Sequence, residues 1–172
     1  MNIKTDRLII RDYTEDDFDD YYHYIMDKEL QKMLGVEYIN DINSAYENFT
    51  WLMENREFLA IELKETNKVI GHIAIHPPYE ALNSFEEYKN KRGASLSFAL
   101  NTNNHRKGYM TESLNSVIYF LFNERKLEYL DCEYEDFNLA SMELQKKLGF
   151  QYIFKEIFDD FTLYINILKN PN

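Results

Sequence analysis

A chain of 172 residues with 45% hydrophobic content is the length of one ordinary globular domain and apolar enough to fill a single core, so a single domain over residues 1–172 is expected. Its formal net charge of −11 at pH 7 repels a nucleic-acid backbone and argues against general DNA or RNA binding. A lone cysteine, Cys132, excludes an intramolecular disulfide, and no apolar run approaches the roughly 18 residues of a membrane span, so the expectation is a cytoplasmic protein with no membrane partner.

The N-terminal stretch from Met1 to Arg11 carries Lys4, Asp6, Arg7 and Arg11 around a short apolar run and lacks the uninterrupted hydrophobic stretch of a signal peptide. Within it, Leu8, Ile9 and Ile10 predict a first strand over Thr5 to Arg11. Thr14 then suits a helix N-cap, followed by acidic Glu15, Asp16 and Asp17, with Phe18, Tyr21, Tyr22 and Ile25 forming one apolar face. A second amphipathic helix is predicted from Ile42 to Arg56 on Ile42, Ala45, Phe49, Leu52 and Met53. Glu57 to Leu63 and Val69 to His76 read as a hairpin, which Pro77 and Pro78 stop. Tyr79 to Arg92 reads as a long polar connection without a clear period, either functional or mobile.

Ala94 to Leu100 reads as a strand, Asn101 to Lys107 as a polar turn, and Met110, Leu114, Val117, Ile118 and Leu121 as a helix that begins just after Gly108. Tyr129 to Tyr134 is a further strand, Asn138 caps a short helix that Gly149 ends, and Gln151 to Phe158 with Phe161 to Leu168 form a last hairpin. The predicted order is β-α-α-β-β-β-α-β-α-β-β, an α/β fold with a mixed sheet whose faces need helical cover.

One segment suggests chemistry. Backbone N–H groups at the start of the helix around Arg106-Lys107-Gly108-Tyr109-Met110-Thr111, together with the positive end of its dipole, suit a phosphate-rich ligand, although the same residues also fit an ordinary turn. Asn104-His105-Arg106-Lys107-Gly108-Tyr109-Met110-Thr111-Glu112 resembles the acetyl-CoA pyrophosphate loop of the GNAT acetyltransferases. Three further segments, in the right order, resemble the RimJ/RimL-like ribosomal-protein alanine acetyltransferase branch. They are Thr5-Asp6-Arg7-Leu8 with Arg11, the hairpin Phe58-Leu59-Ala60-Ile61 with Val69-Ile70-Gly71, and Asn138-Leu139-Ala140-Ser141 with Lys147-Leu148-Gly149-Phe150. The chain departs from the common family loop at its outer positions, His105 and Met110.

That resemblance implies the GNAT acyl-CoA N-acyltransferase fold and an N-acetyltransferase that moves an acetyl group from acetyl-CoA, without a metal, to a primary amine on a protein N-terminus or a small molecule. It implies main-chain contacts to the cofactor from Phe98 and Leu100, a pyrophosphate held by Arg106, Lys107, Gly108, Tyr109, Met110 and Thr111, and Asn138 beside the pantetheine arm, where it also fits a plain N-cap. Ser141 matches the Ser that assists the leaving thiolate in this branch, or is simply a helix-surface Ser. The family's base carries over to nothing, because Ser95 stands where relatives place Glu. Asp131, Glu133, Glu62, His72 and His76 are the remaining candidates.

His72 and His76, four residues apart on a strand, lie about 13 Å from each other and do not make a metal pair. Asp16, Asp17, Asp19, Asp20, Glu86 and Glu87 suggest an acidic mouth that attracts a cationic amine, unless the charge serves only solubility. The alternative function is a domain that holds acetyl-CoA as a sensor or scaffold without turnover. A homodimer is compatible with either.

Overall fold

The computed structural model describes every residue except Glu37, Arg56 and Asn172. Its strands are β1 (Asn2–Lys4), β2 (Leu8–Asp12), β3 (Phe58–Leu63), β4 (Lys68–His76), β5 (Gly93–Leu100), β6 (Tyr129–Glu135), β7 (Gln151–Ile157) and β8 (Thr162–Lys169). The helices are α1 (Phe18–Ile25), α2 (Lys28–Leu34), α3 (Ile42–Glu54), α4 (Tyr109–Asn123) and α5 (Leu139–Lys147). The sheet order is β1-β2-β3-β4-β5-β6-β8-β7, mostly antiparallel with a parallel β5–β6 pair. The chain divides into two compact units, Met1–Ala74 with Phe98–Ser116, and Ile75–Ser97 with Val117–Asn172.

In the first unit, β2 pairs antiparallel with β3, and β3 with β4, in registers that set Leu8 opposite Leu63 and Phe58 opposite Ala74. Alternation then sends Leu8 and Ile10 into the interior. Tyr21, Tyr24, Ile25, Ala45, Phe49 and Leu52 from α1 and α3 form one buried cluster with Ala60, Val69 and Ala99. The predicted N-cap Thr14 opens a short 3-10 turn, Glu15–Asp17, that leads into α1. The predicted second helix is α3, started by Asp41 accepting from the Ser44 N–H at 2.8 Å, and its predicted last residue, Arg56, lies outside the described residues.

The sequence reading had no place for α2. It is only two turns long, too short for a period to stand out, yet its ends are marked. The Asp27 carboxylate accepts from the N–H groups of Glu29 and Leu30, and Gly35 closes the helix at φ 65°. The first predicted strand, Thr5 to Arg11, is β2, and β1, which precedes it and pairs with it, was not expected.

In the second unit, β6 runs antiparallel to β8 from the pair Tyr129–Lys169 to Glu135–Leu163, and β8 pairs with β7. The segment read as a polar, aperiodic connection is anchored. Tyr79, Leu82, Phe85 and Tyr88 recur every third residue, the period of a 3-10 turn, and one such turn spans Glu80–Ser84. These side chains pack with Tyr129, Ile153, Phe154 and Ile167 in a second cluster. A search for periods of two and 3.6 residues passes over this spacing.

Candidate active site

The segment that leads into α4 leaves its backbone donors unpaired. Arg106 and Gly108 both take positive φ, 60° and 81°, and among the described residues none of the backbone N–H groups from Arg106 to Thr111 meets an acceptor. The first internal bond of α4 runs from the Glu112 N–H to the Gly108 carbonyl at 3.0 Å. A run of unpaired donors at a helix start carries partial positive charge and is satisfied by water or by an anionic ligand.

Arg7 and Thr5 clasp this segment in a way the sequence reading did not assign. The Arg7 Nε donates to Glu112 Oε2 at 2.7 Å, its Nη1 to the Lys107 carbonyl at 2.9 Å, and its guanidinium stacks 4.5 Å over the Tyr109 ring. Thr5 Oγ1 and the Arg7 N–H both donate to Glu112 Oε1. Burial pushes the Glu112 pKa up, but the bonds from Thr5 and Arg7 outweigh it, and the net shift is downward. The charged clamp fixes the loop so that Arg106 and Lys107 stay exposed. Tyr109 and Met110 are buried and seat the first turn.

Of the residues expected to offer main-chain contacts, Phe98 is half-buried and Leu100 is buried, and the Leu100 carbonyl accepts from His105 Nε2 at 2.8 Å. His105, a departure from the common loop, thus ties the loop back to the end of β5.

In the second unit the parallel ladder between β5 and β6 spans only Gly93–Tyr129, Ala94–Leu130 and Ser95–Asp131, although both strands continue. Polar side chains gather where the pairing stops. Ser95 Oγ donates to the Glu133 carboxylate at 3.2 Å, and the Tyr79 N–H donates to Asp131 Oδ2 at 3.3 Å. Asp131 is 0% exposed, and among the described residues its Oδ1 has no hydrogen-bond partner. Next to them, His76 Nε2 and Ser97 Oγ lie 3.1 Å apart.

α5 contributes a neutral network. Asn138 caps it, its Oδ1 accepting from the Ser141 N–H at 3.1 Å. Gln145 Nε2 donates to both Ser141 Oγ and the Glu133 carbonyl, while its Oε1 accepts from Asn166 Nδ2 at 2.7 Å. The Ser141 hydroxyl proton has no acceptor among the described residues, and neither has the Asn138 amide N–H2.

Residues 7–151 match the acetyltransferase (GNAT) domain. The chain belongs to this family and is an acyltransferase. A Bacillus subtilis protein named as an uncharacterized N-acetyltransferase, YnaD, is 26% identical over 151 residues, which is 87% of this chain and 82% of YnaD. A GNAT acetyltransferase structure from Bacillus anthracis shares the fold at a TM-score of 0.82 and 19% identity, with both chains covered in full. RimL, a ribosomal L7/L12 alpha-N-protein acetyltransferase solved with coenzyme A, gives a TM-score of 0.75 at 13% identity, covering 98% of each chain.

Several of the remaining predicted site residues have other roles in this GNAT chain. Glu62 is ion-paired to Arg11 Nε at 2.7 Å, and His72 is buried with its Nδ1 3.0 Å from the Tyr24 hydroxyl. Cys132 is buried, and burial raises its thiol pKa. Most of the expected acidic mouth is neutralised. Asp17 is buried against Arg11, Asp20 pairs with Lys68, Glu86 with Lys89 and Glu87 with Lys169. Asp16 and Asp19 stay exposed and line a cleft of about 330 Å³ with Glu15, Phe18, Tyr46, Phe49 and Met53.

Proposed function

We propose that the protein transfers the acetyl group of acetyl-CoA to a primary amine, on a protein N-terminus or a small molecule, by direct attack of the amine on the thioester. The observation that carries this is the run of unpartnered N–H groups from Arg106 to Thr111, opened by Gly108 at φ 81°. A pyrophosphate takes several such donors at once, and a glycine with no side chain lets it approach the backbone. Arg106 and Lys107 add positive charge in a chain that is otherwise strongly acidic.

Each further residue has a task its surroundings permit. Phe98 and Leu100 offer main-chain groups to the pantetheine amides, in the manner of an added strand. The free amide donors of Asn138 suit a pantetheine carbonyl, while its Oδ1 remains the helix cap. Ser141 has a hydroxyl proton to give, and a thiolate is the leaving group that would use it. Acetyl-CoA supplies the activated acyl group. The protein positions it and the amine so that attack becomes effectively intramolecular.

Calorimetric titration with acetyl-CoA tests the site. Wild-type protein should bind and melt at a higher temperature with ligand present. A folded Gly108→Asp variant should not bind. Its side chain would sit at a positive φ that favours glycine, 3.4 Å from the Arg7 guanidinium, and its charge would face the pyrophosphate. Binding retained in that variant would remove the loop from the site. A panel of amines and peptides, read as free thiol, then separates transfer from a sensor or scaffold that only holds acetyl-CoA.

A further inference from the structure

Ser95, at the last pair of the β5–β6 ladder, turns its hydroxyl to the Glu133 carboxylate. β6 presents Asp131 and Glu133 two residues apart, hence on the same face of the sheet, with Cβ atoms about 7 Å from each other. Both lie where the β5–β6 ladder ends. Among the described residues no Lys or Arg pairs with either. Their neighbours are the Ser95 hydroxyl, the Tyr79 N–H, and the side chains of Tyr129 and of Tyr79, whose hydroxyl donates to Glu156 at 2.8 Å.

We propose that Glu133 is the catalytic proton acceptor for the amine, and that Asp131 is a positioning residue that shares a proton with it. This rests on the acetyl-transfer reading above. Asp131 Oδ1 is the observation that leads to it. It is a fully buried carboxylate oxygen with no donor, and a proton held between the two carboxyls is the donor that would satisfy it. Two uncompensated carboxylates on one strand face cannot both ionise near neutrality. Burial raises both pKa values, and the Asp131 charge raises that of Glu133 further, to about 8. Once ionised, Glu133 is a base matched to an amine near neutral pH rather than a spent carboxylate.

Glu133 takes one proton from the acceptor ammonium, and the freed nitrogen pair forms the bond to the thioester carbonyl carbon. The C–S bond breaks with its electron pair going to sulfur. The second proton, shed by nitrogen as the amide forms, neutralises the thiolate, and the proton on Glu133 returns to solvent. Ser95 holds the Glu133 carboxylate in place throughout.

The test combines the carboxyl carbon titration of labelled Glu133, followed by NMR, with kinetics and acetyl-CoA affinity for wild type, Glu133→Gln and Asp131→Asn. In wild type the Glu133 carbon should titrate well above the usual carboxylate range, and in Asp131→Asn its midpoint should drop. The lower limb of the kcat/KM profile should move by the same interval. Glu133→Gln should bind acetyl-CoA as wild type does and lose at least about 100-fold in kcat, with partial recovery at high pH where the amine is already neutral. A folded Glu133→Gln variant of full kcat, a Glu133 carbon that titrates in the usual range, or a profile that ignores Asp131→Asn overturns the proposal. Failure of wild-type protein to bind acetyl-CoA would instead overturn the reading beneath it.

Discussion

Two carboxylate pairs among the described residues each set a buried Asp beside a half-buried Glu, and their surroundings differ in one respect. Asp17 and Glu62 share Arg11, which reaches Asp17 through both Nη atoms at 2.7 and 2.8 Å and Glu62 through Nε at 2.7 Å. Asp131 and Glu133 share only hydroxyl and backbone donors. Burial raises the Asp17 pKa, but Arg11 and Thr14 outweigh it and the net shift is downward, whereas the shift at Glu133 is upward. The first arrangement compensates its charges and ties β2 to β3 and to the turn before α1. The second leaves charge uncompensated, which costs stability and gives a group able to exchange a proton near neutral pH.

Removing the cation breaks the contrast most severely. Arg11→Ala leaves Asp17, 5% exposed, and Glu62 facing each other without compensation, and should cost about 3 kcal/mol of unfolding free energy by urea titration. Adding Asp17→Asn should restore part of that loss, because the remaining carboxylate then faces a neutral amide. A single variant as stable as wild type would mean that Arg11 does not offset the burial of its partners.

The pH dependence of stability should separate the pairs next. For Asp17, with a lowered pKa, the stabilisation is fully present above the usual carboxylate pKa and is lost as pH falls through the folded value. For Glu133, with its pKa raised from 4.5 to about 8, the folded state holds a proton that the unfolded chain releases, so stability declines as pH rises across that interval and levels off above it. Wild-type Tm should therefore fall between about pH 5 and pH 8, and Glu133→Gln, which cannot ionise there, should flatten the decline. A wild-type melting curve independent of pH over that range would place Glu133 among ordinary carboxylates.

The start of α4 and the uncompensated pair are not equally legible in the sequence. Arg106 to Thr111 could be read because backbone chemistry at a helix start follows from local order, with Gly108 marking the place. Asp131 and Glu133 were visible only as alternating acids on a strand, because what distinguishes them is the absence of a cation and the arrival of Ser95 from another strand, and both facts are tertiary. The Arg7–Glu112 clamp joins residues more than a hundred positions apart, and nothing local announces it. The acidic mouth shows the same limit: Asp17, Asp20, Glu86 and Glu87 have cationic partners, while Asp16 and Asp19 stay exposed. Counting carboxylates along the chain says nothing about which lysines and arginines will neutralise them.

The smallest expected effect concerns the neutral network beside the uncompensated pair. Ser141 Oγ accepts from Gln145 Nε2 at 3.1 Å, so its own proton is left to donate, and a developing thiolate is a stronger acceptor than water. Ser141→Ala should lower kcat by about tenfold, which corresponds to about 1.4 kcal/mol of barrier. Gln145 keeps its bonds to the Glu133 carbonyl and to Asn166, so Tm and acetyl-CoA affinity should barely move. The defect should shrink when the acyl donor carries a more acidic thiol, which leaves without help. It should persist unchanged across amines of different basicity, whereas the Glu133→Gln defect should show the reverse pattern, insensitive to the leaving thiol and smaller for amines that are already neutral. Two variants in one unit that responded alike to both changes would mean that proton removal and thiolate departure are not divided between Glu133 and Ser141.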